Sequence, residues 1–115
     1  MAAVIETSEN NSVELLQTHY YRANYNQLKK AYLEALEKMG HNIISVNDDF
    51  NEIFSECGKL EVSAKLIMQT PLETSIDFTI NSEYLFGVGK AEKFIQEALS
   101  IIEKSVQING LGLHK

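Results

Sequence analysis

The sequence has few cross-linking or chain-breaking residues: among 115 residues there is no tryptophan, one proline and one cysteine. Because Cys57 is alone, it can form neither an internal disulfide nor a multi-cysteine metal site. A single proline excludes a proline-rich linker. No apolar run approaches the roughly 18 residues of a membrane span, and the first residues lack the basic and apolar regions of a secretion signal. The sequence therefore predicts a cytoplasmic protein without membrane attachment.

Positive charge is also scarce. Sixteen acidic and ten basic residues give a formal charge of −6, and Arg22 is the one arginine. Nucleic-acid binding usually shows as a concentrated basic patch, because affinity comes largely from neutralised phosphates. The densest basic feature is the pair Lys29-Lys30, which on a helix is typical of a solvated face. The composition therefore predicts neither nucleic acid nor an anionic membrane surface as a partner.

The length and composition are those of one globular domain. Apolar residues make up 44% of the chain and charged residues 23%, which is ordinary for a folded protein. A domain of this size buries roughly two thirds of its unfolded surface, enough for a core without metal or disulfide. We interpret the polar residues 1–11 and the short segment 109–115 as flexible tails. A single domain is expected over residues 12–108.

The segment from Gly58 to Ile80 shows the clearest strand pattern. Apolar and polar residues alternate in two runs, separated by a break at Thr70-Pro71, and proline suits a turn because it has no N–H for a strand ladder. The pattern predicts a β-hairpin with one apolar face. The opposite face carries the polar members of both runs: Glu61, Ser63, Lys65, Glu73, Ser75 and Asp77. We expect that face to be solvated or to bind a partner.

Two segments have the period of amphipathic helices. Residues 25–39 place apolar side chains at spacings of three and four, with Asn24 and Gln27 in capping-box positions and Gly40 at the end. A second apolar stripe runs from Ala91 to Val106 and is expected to end at Asn109-Gly110. The glycines at positions 87 and 89 before this helix are interpreted as a hinge, because the spacing does not fit a phosphate-binding loop.

The remaining segments favour strands. Residues 12–22 are compatible with a strand or with the start of a longer first helix, and the capping box at Asn24 favours the strand. The adjacent pair Ile43-Ile44 breaks alternation, which indicates a bulge or two covered faces. We therefore expect an α+β fold with a four- or five-stranded antiparallel sheet and two amphipathic helices on one face. The expected order is β-α-β-β-β-β-α, or α-β-β-β-β-α if residues 12–22 are helical.

The sequence contains no established catalytic or metal-binding motif. The acidic stretch Asp48 to Glu56 lacks the glycine and spacing of a calcium loop, and the three histidines are isolated. His19 and Tyr21 would share a face of a strand and form the best polar-aromatic cluster, although catalysis would require an acid–base partner within hydrogen-bond reach. Cys57 has no activating neighbours in sequence. We predict no metal site, no cofactor and no catalytic residue.

Function must therefore be inferred from side chains that the core does not explain. Four aliphatic residues fall outside the expected apolar stripes and are candidate partner contacts: Leu33, Ile67, Ile101 and Ile108. They favour a non-catalytic protein-binding or assembly module, with a homodimer as one form. A carrier of a small apolar ligand held between helices and sheet is the alternative. An enzyme that uses the His19/Tyr21 cluster or Cys57 is the third hypothesis.

Overall fold

The computed structural model describes residues 3–84 and 87–111, with the backbone alone at residue 3 and at residues 107–111. Within these ranges the chain forms seven strands, two α-helices and one turn of 3-10 helix at Glu14–Leu16. The strands are β1 (Ala3–Glu6), β2 (His19–Arg22), β3 (Asn42–Asn47), β4 (Glu52–Cys57), β5 (Leu60–Thr70), β6 (Glu73–Ser82) and β7 (Gln107–Leu111). The helices are α1 (Tyr25–Lys38) and α2 (Gly87–Ile102). Neither described helix is long and apolar enough to cross a membrane.

All strands join one antiparallel sheet in the order β3-β4-β5-β6-β2-β7, and β1 also pairs with β6. The α+β class is confirmed. The expected count of four or five strands is too low, because β1 lies in the segment interpreted as a tail and β7 begins where the second helix was expected to continue. Both strands are short and are held by distant partners, Ala3 opposite Ser82 and His19 opposite Leu111. Such pairing leaves little local signal in the sequence.

The predicted hairpin is formed by β5 and β6. Leu60 pairs with Ser82 at one end and Thr70 with Glu73 at the other, so Pro71 and Leu72 form the connection. The alternation brings Val62, Leu66, Phe78 and the other apolar members of both runs under the helices. The exceptions are Met68 and Leu72, which are exposed near the tip of the hairpin.

Helix α1 begins with the predicted capping box. The side-chain oxygen of Asn24 accepts a hydrogen bond from the Gln27 N–H at 2.8 Å, and the Gln27 side chain accepts one from the Asn24 N–H at 2.9 Å. Gly40 follows the helix with φ of +74°, a conformation that glycine adopts at little cost. Upstream, residues 19–22 form a strand as favoured, but Glu14–Leu16 form a 3-10 turn instead.

Both helices pack on the same face of the sheet, where aromatic rings fill the space between them. Phe78 lies at the centre, with its ring centroid 5.8 Å from that of Tyr32 and 5.9 Å from that of Phe94. The His41 ring extends this group, with its centroid 4.8 Å from that of Phe94. Tyr32, Phe78 and Phe94 are almost fully buried, so the layer between helices and sheet is packed with side chains.

The opposite face of the sheet is covered at one end. The Thr7 and Thr18 hydroxyls each donate a hydrogen bond of 2.7 Å to the same oxygen of Asp77. The Tyr20 hydroxyl donates a hydrogen bond to Glu9. Ser75 and Glu73, which were expected on an open face, are buried. The segment between β1 and β2 therefore covers part of this face, and the open part lies over β3, β4 and β5.

Candidate functional site

Strand β3 lies at one end of the sheet and exposes an uncharged edge. Its sequence is Asn-Ile-Ile-Ser-Val-Asn, and within the described ranges its one strand partner is β4. Ile43 is 37% exposed, Ile44 is 55% exposed and Val46 is 38% exposed. Natural edge strands usually carry charges or proline, which discourage pairing with another chain. β3 has neither, so its edge is suited to a further strand.

The pairing of β3 with β4 determines where these side chains point. Ile43 lies opposite Ser55 and Val46 opposite Ile53, with a register shift between Ile43 and Ser45. Of the two explanations offered for the adjacent isoleucines, a bulge or two covered faces, the register shift supports the bulge. Ile53 is fully buried in the core, and directly opposed residues share a face. Ile43 and Val46 consequently lie on the helix side.

A groove of about 430 Å³ runs between α1 and this edge. Leu33 and Ile43 supply its apolar lining, and the polar lining comes from Asn26, Lys29, Lys30, Glu34 and Glu37. We call Leu33, Ile43, Ile44 and Val46 the β3 surface. Leu33 was proposed from sequence as a partner contact, whereas the exposure of β3 was missed. Only the strand order reveals which strand is at the edge.

An ion pair holds the end of β3 against α1. Lys29 Nζ lies 2.7 Å from an oxygen of Asp48, and the Tyr25 hydroxyl lies 3.3 Å from the same oxygen. The hydrogen bond from Lys29 lowers the pKa of Asp48 below its ordinary value. In turn, the hydrogen bond to Asp48 raises the pKa of Lys29. Asp48, the first residue of the acidic stretch, therefore forms an ion pair with Lys29.

A second groove, of about 290 Å³, opens on the other face of the sheet. Ile44 and Phe54 line one side of it, and Val62, Thr79 and Asn81 contribute further. The side-chain oxygen of Asn81 is buried without a hydrogen-bond partner. A buried acceptor in an apolar groove favours a ligand that brings a donor.

The other proposed partner contacts are dispersed. Ile67 is 41% exposed on the outer face of β5, which β4 separates from β3. Ile101 is half-buried and packs against the core. Ile108 lies in β7, where side chains are outside the described part of the structure. The structure therefore brings none of these three residues to the β3 surface.

The His19/Tyr21 cluster is assembled as expected but is enclosed. The two rings are stacked with centroids 6.4 Å apart, and the Tyr21 hydroxyl donates a 2.7 Å hydrogen bond to Glu103. Tyr21 is completely buried and His19 is 6% exposed. Burial and then the Glu103 carboxylate raise the pKa of Tyr21 far above its ordinary value, so the phenol stays protonated. This geometry is that of a structural hydrogen bond from a buried phenol to an exposed carboxylate.

The remaining candidates from the sequence are Cys57 and the glycine at position 87, and neither forms part of a site. Cys57 is exposed at the end of β4. A Cβ atom at Gly87 would lie 2.7 Å from the Ser82 hydroxyl oxygen, so glycine there permits close packing of α2 on β6. Among the described residues, no group of three or more histidine, cysteine or carboxylate side chains is arranged to hold a metal ion.

Comparisons with protein-family models, with curated proteins and with solved structures give no significant match.

Proposed function

We propose that the protein is a non-catalytic assembly module that binds a protein partner through the β3 surface. The observation that carries this proposal is the uncharged edge of β3, which presents Ile43, Ile44 and Val46 to solvent. An added strand would satisfy the outward backbone groups of β3, and its side chains would cover the isoleucines. Leu33 would extend the apolar contact onto α1.

The test compares two lysine substitutions at equally exposed positions. Val46→Lys places a charge on the proposed surface, and Ile67→Lys places one on the outer face of β5; the two native side chains are 38% and 41% exposed. Native mass spectrometry of gently purified protein should show an assembly in the wild type and in Ile67→Lys. We expect Val46→Lys to be monomeric because a desolvated lysine opposes strand addition. Assembly that survives Val46→Lys would contradict the proposal.

A small apolar ligand is the second candidate, and the groove beside Phe54 favours it. The groove has an apolar lining and contains the unpartnered oxygen of Asn81. The packed aromatic rings between helices and sheet do not favour a ligand site in that layer, where the sequence analysis placed it. In the same spectra, a reproducible adduct that is lost on denaturation and absent from Phe54→Asp would support this function. If the wild-type protein shows no adduct in these spectra, that result would contradict the carrier function.

A further inference from the structure

We propose that the partner is a second copy of this chain, joined by antiparallel pairing of β3 with β3 about a two-fold axis. This inference rests on the proposed assembly function and specifies its partner. Two-fold interfaces use the same patch on both subunits, so the patch must be complementary to itself. Strand β3 meets this requirement, and so does the stripe of α1 that lines the groove beside it.

The strand is complementary to itself about its midpoint. When two antiparallel copies meet between Ile44 and Ser45, Asn42 lies opposite Asn47 of the partner subunit. Ile43 then lies opposite Val46 of the partner subunit. The bulge turns both Ile43 and Val46 to the helix side, so the two aliphatic pairs would lie below the α1 helices. With no charge between Asn42 and Asn47, no like charges oppose this pairing.

The helix carries opposite charges on either side of its apolar contact. Asn26, Lys30, Leu33 and Glu37 follow one another at spacings of three and four residues, so they form one stripe, and all four line the groove above β3. Lys30 and Glu37 lie equally far from the midpoint between Leu33 and Glu34. A two-fold axis at that midpoint brings Lys30 opposite Glu37 of the partner subunit, twice in each dimer.

Both charges are available for such contacts. Among the ion pairs of the described residues, Lys29 binds Asp48 and Lys93 binds Glu97, whereas Lys30 and Glu37 take part in none. Both residues are exposed. Each copy has a formal charge of −6, so association of two copies meets long-range repulsion. The local Lys30–Glu37 pairs would offset it and fix the antiparallel orientation.

Charge reversal provides a test that leaves the core untouched. Lys30→Glu places two acidic side chains opposite each other in the dimer, and Glu37→Lys places two lysines opposite each other. We expect each variant to raise the dimer dissociation constant about tenfold or more, measured by sedimentation, because like charges at an interface oppose binding. The matched controls are Lys93→Glu and Glu97→Lys on α2, which change the net charge equally.

Mixing the two variants is the decisive step. In a heterodimer of Lys30→Glu with Glu37→Lys, each glutamate at position 30 or 37 faces a lysine of the other copy. Native mass spectrometry with one variant labelled with ¹⁵N should therefore show heterodimer in excess of both homodimers. The double variant Lys30→Glu/Glu37→Lys should regain wild-type affinity for itself.

The outcomes separate this inference from the function on which it rests. If the wild type is a dimer and none of the charge reversals changes its dissociation constant, the two-fold geometry is wrong. Wild-type protein that stays monomeric alone, but forms a Val46-dependent complex with another protein, would overturn self-association while supporting the assembly function. Protein that assembles with nothing would overturn both.

Discussion

His19 connects a single buried side chain to the pH dependence of stability. Burial lowers its pKa below the ordinary value of 6.5, even though the Gln17 carbonyl oxygen, which accepts a 2.8 Å hydrogen bond from Nδ1, and the carboxylates of Glu103 and Asp77 act in the opposite direction. In the unfolded chain, His19 takes up a proton near pH 6.5, whereas the native state does not until the pH is lower. The unfolded state therefore binds more protons in this window, so stability falls as the pH falls below 6.5.

We predict that the free energy of unfolding decreases between about pH 7 and about pH 5.5 in urea titrations. His19→Gln should reduce this dependence, because glutamine does not titrate. His41, whose pKa is also lowered by burial, should account for part of the remaining slope. An unchanged pH dependence in His19→Gln would show that the histidine is protonated equally in both states.

The sequence predicted that His19 and Tyr21 share a face of a strand, and the stacked rings agree with this. It could not predict their burial, or the hydrogen bond from Tyr21 to Glu103, which lies 82 residues further along the chain. The same limit applies to Ile101, whose half-buried packing depends on the position of α2 relative to the core. Periodicity assigns a face to a side chain, but the neighbouring elements determine its exposure.

At the scale of elements, two threonines hold the connection after β1 to β6. The Thr7 hydroxyl donates to Asp77 at 2.7 Å and accepts from the buried N–H of Phe78 at 2.8 Å. Thr18 donates to the same carboxylate. The two residues therefore fix the segment between β1 and β2 to β6. The Thr7 hydroxyl makes two of these hydrogen bonds and the Thr18 hydroxyl makes one.

We predict that Thr7→Val lowers the free energy of unfolding by about 2 kcal/mol, because it leaves the Phe78 N–H without the threonine acceptor. Thr18→Val, the matched control, should cost about 1 kcal/mol, since it removes one donor from Asp77. Urea unfolding measures both values. Equal losses would mean that the bond to the Phe78 N–H does not contribute to stability.

The elements that the sequence predicted best are those with local signals. The hairpin β5–β6 has period-two alternation and a proline turn, and α1 has its capping box and glycine end. β1 and β7 lack such signals because β6 and β2 stabilise them from far along the chain. For the same reason the candidate site was only partly predicted. Leu33 was identified as an unexplained apolar residue, but the free edge of β3 follows from strand order.

At the scale of the whole molecule, association should make thermal stability depend on concentration. A dimer that binds through folded β3 edges stabilises the native state by mass action. We predict that the melting temperature of the wild type rises with protein concentration, and that Glu37→Lys requires about tenfold higher concentration or more for the same rise. Circular dichroism over a wide concentration range would measure both. A concentration-independent melting temperature in the wild type would contradict a dimer linked to folding.

The position of β6 in the sheet also has a consequence during synthesis of the chain. β6 receives β1 and β2 on one edge and β5 on the other, yet residues 73–82 are made after all three of these strands. On the ribosome, β1 and β2 must wait unpaired while α1 and the β3–β4–β5 meander can already form from neighbouring residues. His19 pairs with Leu111, so β2 gains its second strand partner only once β7 has left the exit tunnel. The backbone groups that β1 and β2 use for pairing therefore stay open on the nascent chain until β6 and β7 have been made.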